Sequence, residues 1–105
     1  MKIWIDDVRP APEGYVWKKS VNDAKAFIGL REAMCHLYDP NMQAFELISI
    51  DHDAGDYAYD GGDYIKLLDW LEETGRNYPI HIHSMNPVGV ENMRAIIQRN
   101  GWKEV

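Results

Sequence analysis

Short apolar runs alternate with longer stretches whose apolar positions recur at helical spacing. Lys2-Ile3-Trp4-Ile5 predicts a first strand, stopped by Asp6-Asp7 and a loop holding Pro10, Pro12 and Gly14. Tyr15-Val16-Trp17-Lys18 predicts a second strand. Ser20-x-x-Asp23 has the form of a capping box and opens a helix, with Val21, Ala24, Phe27, Ile28, Met34, Leu37 and Tyr38 as its apolar side. Asp39-Pro40-Asn41 ends that helix, and Glu46 to Asp51 predicts a third strand. After a loop over 52–60, Asp60-Gly61-Gly62-Asp63 leads into a periodic helix through Ile65, Leu67, Leu68 and Leu71, closed at Gly75. Pro79 to Ser84 predicts a fourth strand, Val88 to Gln98 a helix closed near Gly101, and Trp102 to Val105 an edge strand.

Strand alternating with helix implies an α/β domain: a parallel sheet with helices on its faces. The link between the first two strands is too short for a full helix, so that crossover is a loop. At 105 residues the chain forms one domain, 1–105, with a single core. No apolar run approaches a membrane span, and the three apolar residues near the N-terminus fall short of a signal peptide. Cys35 is the lone cysteine, which excludes an internal disulfide and fits a reducing, cytoplasmic compartment. A net charge of −6 opposes strong non-specific nucleic-acid binding. It does not exclude a phosphate substrate if a cation offsets local acidity.

Ligands of open parallel sheets sit beyond the carboxyl ends of the strands. There the sequence concentrates its chemistry. Asp6 and Asp7 end the first strand, Asp51 and Asp53 the third, and His83 and Ser84 the fourth. Single aspartates often terminate strands because they favour turns. Four of them at adjacent tips would repel one another, a cost that a hard cation such as Mg²⁺ or Mn²⁺ removes; the nearby histidines also admit Zn²⁺. His81 and His83, two apart, project from one side of a strand, with His83 nearer the rim. His81 is then a supporting or catalytic group, and His83 or His52 a proton donor. Arg9, Ser84 and Asn86 are candidate phosphate contacts, although Asn86 before Pro87 also reads as a helix N-cap. Trp4, Trp17, Trp70 and Trp102 read as packing residues, since their spacing marks no base-stacking platform.

The segments IWIDD, ISIDHD and IHIHS resemble the response-regulator receiver, with Asp6 and Asp7 at the acid-pair positions, Asp51 at the phosphoacceptor and Ser84 at the hydroxyl position. This implies a flavodoxin-like open sheet of about five strands, order 2-1-3-4-5, with helices on both faces. The first crossover helix and the terminal helix are reduced or absent. No Lys-Pro ends a fifth strand; Lys103 is the sole candidate there. The longer motifs DDxRPAPxG, SIDHDxG and IHxHSxNPxGxxNM are more specifically similar to the cyclic-phosphate-processing receiver domain. That resemblance implies processing of cyclic phosphates, in particular 2′,3′-cyclic ends of nucleotides or RNA.

The expectation is a metal-dependent phosphoesterase acting on cyclic or terminal phosphates of a small molecule or an RNA end. Asp6, Asp7, Asp51 and Asp53 hold the metal, and Asp51, His83 and His52 carry the chemistry. Asp51 could attack directly or hold a cation, and the residues leave both open. The alternative is a phosphoacceptor signalling or binding module without hydrolase activity. Oligomeric state does not follow from the sequence.

Overall fold

The computed structural model describes all 105 residues. Four parallel strands, β1 (Lys2–Ile5), β2 (Tyr15–Lys18), β3 (Leu47–Ile50) and β4 (Ile80–Ile82), form one sheet in the order β2-β1-β3-β4. Three helices follow β2, β3 and β4 in turn: α1 (Val21–Tyr38), α2 (Ile65–Glu73) and α3 (Pro87–Asn100). The expected fifth strand is reduced to one parallel bridge between Ile80 and Glu104. The order of the other four is as the receiver resemblance implies.

Alternation along the strands separates two faces. Ile3, Ile5, Ile48, Ile50 and Ile80 are fully buried and share one core with Leu67, Leu68 and Leu71 of α2 and Met93, Ile96 and Ile97 of α3. Trp4, Ser49 and His81 point to the other side, in register or next to one another across β1, β3 and β4. The β2-to-β3 and β3-to-β4 crossovers step in the same direction across the sheet. With the usual right-handed sense, this places their helices on a single face. The expectation of helices on both faces is therefore corrected. The β1–β2 loop stands where a helix would cover the second face, and Trp4 Nε1 donates to the Arg9 carbonyl in that loop at 2.9 Å.

Local signals place the helix starts. Ser20 Oγ accepts from the Asp23 amide at 3.1 Å, and Asn86 caps α3 by accepting from Gly89 N at 3.0 Å. Gly101, with φ of 67°, closes α3 in the left-handed region. The second half of α1 departs from its predicted apolar face. Met34, Leu37 and Tyr38 are exposed, and Cys35 is buried in their place. The buried set Val21, Ala24, Ile28 and Cys35 follows one narrow stripe, and the remaining apolar residues lie off it.

Candidate functional site

The strand register builds the site. Ile5, Ile50 and Ile82 lie side by side, so Asp6, Asp51 and His83 follow one another across three strand tips. The ladder continues through them: Asp51 N donates to Ile5 O at 2.9 Å and His83 N to Ile50 O at 3.0 Å. Asp6, Asp7 and Asp51 each place a carboxylate oxygen within 4.8 Å of the others. Asp53 does not join them; it forms a separate group with His52 and Asp63. The four-acid set expected from sequence is thus three acids at the rim and one beside it.

Asp6 is fully buried, and its carboxylate takes three hydrogen bonds and one ion pair. Oδ1 accepts from Val8 N at 3.0 Å and Arg9 N at 2.9 Å, while Oδ2 takes Arg9 Nε and His83 Nε2, each at 3.0 Å. Burial alone would raise its pKa, but these donors outweigh it and hold the group below the usual range. Asp7 goes the other way. Burial, with repulsion from Asp6 and Asp51 after it, raises its pKa, and no cation pairs with it. Gly55 has φ of 54° and lies so close to Asp7 Oδ2 that a side chain there would overlap it.

Arg9 ties the rim together. Its Nη2 reaches Asp51 Oδ2 at 3.2 Å, and Nη1 donates to the His83 carbonyl at 3.1 Å. The half-exposed guanidinium thus forms ion pairs with Asp6 and Asp51 and one hydrogen bond to the His83 carbonyl, and keeps N–H groups to spare. The other Asp51 oxygen accepts from His52 N at 2.8 Å.

The three histidines have separate tasks. His83 stacks on Trp4, centroids 3.8 Å apart and planes 2° from parallel. An ionised Asp6 can only accept, so Nε2 carries the proton and Nδ1 accepts from Ser49 Oγ at 2.8 Å. Burial depresses its pKa more than Asp6 raises it, so the ring is neutral at pH 7. With both nitrogens committed inside, His83 holds Asp6 and is not a free proton donor. His52 Nδ1 donates to Asp53 Oδ1 at 2.8 Å, which leaves Nε2 as its open nitrogen. The ring lies flat on Gly89, where any side chain would collide with it. His81 is exposed and donates through Nδ1 to Val105 O at 2.7 Å, away from the acids.

Ser84 Oγ accepts from Asn86 N at 3.1 Å and keeps its own proton free to donate. Asn86 uses its carbonyl as the α3 cap, leaving the amide nitrogen at the His52 side of the rim. Ser49, Asp63 and Gly55 escaped the sequence reading as site residues. The only signal for Ser49 is a hydroxyl within an otherwise apolar strand, on the same face as His81 and His83. Asp63 anchors the loop after β3 by accepting from Ala54 N at 3.0 Å.

Residues 1–99 match the family described as cyclic-phosphate processing receiver domain. Neither a curated protein nor a solved structure is significantly similar to the chain. No helix is long and apolar enough to cross a membrane. The matched span contains every strand tip that carries the acids, Arg9 and the histidines, and the chain belongs to the cyclic-phosphate processing receiver domain family.

Proposed function

We propose that the rim opens a cyclic phosphodiester, in particular a 2′,3′-cyclic phosphate, by hydrolysis to a phosphomonoester. The observation that carries this reading is the Asp7–Asp51 carboxylate pair beside a half-exposed Arg9 guanidinium with N–H groups to spare. Two acids with one cation between them suit a divalent ion: Asp7 has a raised pKa and no positive partner, so a hard cation relieves a repulsion already present. Asp7 and Asp51 would hold it, since Asp6 is fully buried and already takes three hydrogen bonds and the Arg9 ion pair. Bound there, Mg²⁺ or Mn²⁺ supplies Lewis-acid charge to the phosphoryl oxygens.

The chain's own groups divide the remaining work. Spare N–H groups of Arg9 and the Ser84 hydroxyl hold non-bridging oxygens. The attacking water gives up its proton to solvent, since Asp7 and Asp51 would be engaged in holding the cation. As the water oxygen bonds to phosphorus, one ring P–O bond breaks and the departing ribose oxygen needs a proton. His52 in its doubly protonated form supplies it from Nε2, with Asp53 accepting from the Nδ1–H, and regains that proton from solvent as the product leaves. His83 and Ser49 are positioning residues that fix Asp6 and, through it, Arg9.

A second reading is a phosphoacceptor module, favoured by the placement of Asp51 at the β3 tip next to Ser84. Against it stand the reduced fifth strand and the histidines, which phosphotransfer to Asp51 does not need. Turnover of 2′,3′-cyclic nucleotides with Mg²⁺, Mn²⁺ or Zn²⁺, beside intact mass after acetyl phosphate and Mg²⁺, separates the two. Metal-dependent turnover lost in Asp7→Asn and Asp51→Asn supports the hydrolase. A stable adduct on Asp51 without turnover supports the module.

A further inference from the structure

We infer that the groove walled by Trp17, Tyr57 and Tyr59 receives the base of a nucleoside whose cyclic phosphate sits at Asp7, Asp51 and Arg9. The inference rests on the phosphate reading above and deepens it by naming the substrate class.

The groove has a volume of about 600 Å³, within the size range of small-molecule sites, and Lys19, Ser20, Asn22, Asp23 and Asp60 complete its lining. It begins where the acid cluster ends. Ile5 pairs with Lys18, so the next step along both strands sets Lys19 beside Asp6. Trp17 Nε1 donates to the Asp6 carbonyl at 2.8 Å. Tyr57 belongs to the short 3₁₀ turn that starts at Gly55, the residue lying against Asp7. The groove therefore adjoins the acid cluster, as a nucleoside carrying the phosphate requires.

The aromatic rings have no packing duty that explains them. None of the three belongs to the hydrophobic core, and Tyr59 is 83% exposed. The Lys19 ammonium stands over both ring faces, 4.5 Å from the Trp17 centroid and 5.7 Å from that of Tyr57, so a stacking base must swing this flexible side chain aside to its polar edge. A base offers a π face to the rings and polar edges to Lys19 and Asp60. An inorganic phosphate would use none of the rings, and an apolar ligand would strand both charges.

The floor is already built. Asp60 accepts from Ser20 Oγ at 2.6 Å and Asn22 Nδ2 at 3.1 Å, and its carbonyl accepts from Asn22 N at 3.1 Å. Gly61, with φ of 111°, packs so tightly that a Cβ would lie 2.8 Å from Val21 Cβ. These contacts pin the tyrosine-bearing loop to the start of α1, so little ordering cost remains for a ligand. The spacing of the tryptophans along the sequence hid this platform, because two of its three rings come from a loop some forty residues after Trp17.

Calorimetric titration of the full chain in Ca²⁺, with ³¹P NMR confirming that the cyclic phosphates survive the titration, tests the inference with three probes: adenosine 2′,3′-cyclic phosphate, adenosine, and the base-free glycerol 1,2-cyclic phosphate. Variants are Tyr59→Ala and Tyr57→Leu, with Tyr59 carrying no hydrogen bond whose loss would disturb folding. Loss of one base stack should weaken the adenosine compound about tenfold or more, and at least tenfold more than the glycerol compound. Equal binding of the two cyclic phosphates, changed alike by the variants, overturns the base groove while the phosphate reading stands. Adenosine bound as tightly as its cyclic phosphate and lost in the variants supports the groove and defeats the phosphate reading. Binding of none of the three overturns both. A short oligoribonucleotide ending in a 2′,3′-cyclic phosphate distinguishes the sources once the groove is supported: tighter binding than the mononucleotide assigns the groove to an RNA end, and equal binding to a free nucleotide.

Discussion

His83 donates from Nε2 to Asp6 Oδ2 at 3.0 Å, from a ring stacked on Trp4 and held at its other nitrogen by Ser49. This links the fourth strand to the first across the third and turns an exposed-looking histidine into part of the frame. His83→Ala should cost about 2–4 kcal/mol of stability, since it strips a donor from a buried carboxylate and removes the stack. Urea denaturation checks this. A variant that loses turnover at unchanged stability would instead make His83 a group acting on the substrate.

Divalent cation should stabilise the fold by binding to the native state alone, by about 2.7 kcal/mol at a hundredfold excess over Kd. Asp7→Asn should abolish that gain. Asp53→Asn should retain it, because Asp53 pairs with His52 outside the rim cluster. Thermal melts with and without Mg²⁺ or Mn²⁺ decide the matter, and equal loss in both variants would contradict the assignment.

Gly89→Ala tests His52. The added methyl must displace the imidazole from its seat on α3, while alanine at that point suits a helix. Turnover should fall tenfold or more, in proportion to the proton-transfer contribution, and the circular dichroism spectrum should keep its helical content.

Glu32 gives a pH signature remote from the site. Burial raises its pKa, but Arg76 and the Tyr78 hydroxyl hydrogen-bond its carboxylate and bring the net value below 4.5. A depressed folded-state value contributes stability that is present above pH 4.5 and lost as pH falls through the folded pKa. Glu32→Gln should therefore be less stable than the parent by about 1–3 kcal/mol at pH 7, with the gap closing in acid below that folded value. Urea midpoints at pH 7 and pH 3 measure it.

The strands were legible because β1 and β3 are short isoleucine-rich runs capped by aspartates, and the starts of α1 and α3 because Ser20 and Asn86 are strong caps. What sequence spacing cannot convey is which partner a side chain meets. The two-residue step from His81 to His83 puts both on one face, yet one meets Asp6 and the other Val105. Asp53 leaves the acid cluster because the loop after β3 is pulled toward Asp63 through Ala54 N. The extra apolar residues of α1 were misplaced for a related reason. Helical periodicity marks a face, but Met34, Leu37 and Tyr38 find no sheet beneath them.

The most direct test of the account is ³¹P NMR of 2′,3′-cyclic AMP mixed with the protein and Mg²⁺ or Mn²⁺. Hydrolysis at the rim should replace the cyclic phosphate resonance by a phosphomonoester resonance, and Asp7→Asn and Asp51→Asn should each halt the conversion. An unchanged cyclic resonance over folded, cation-bound wild-type protein would contradict it.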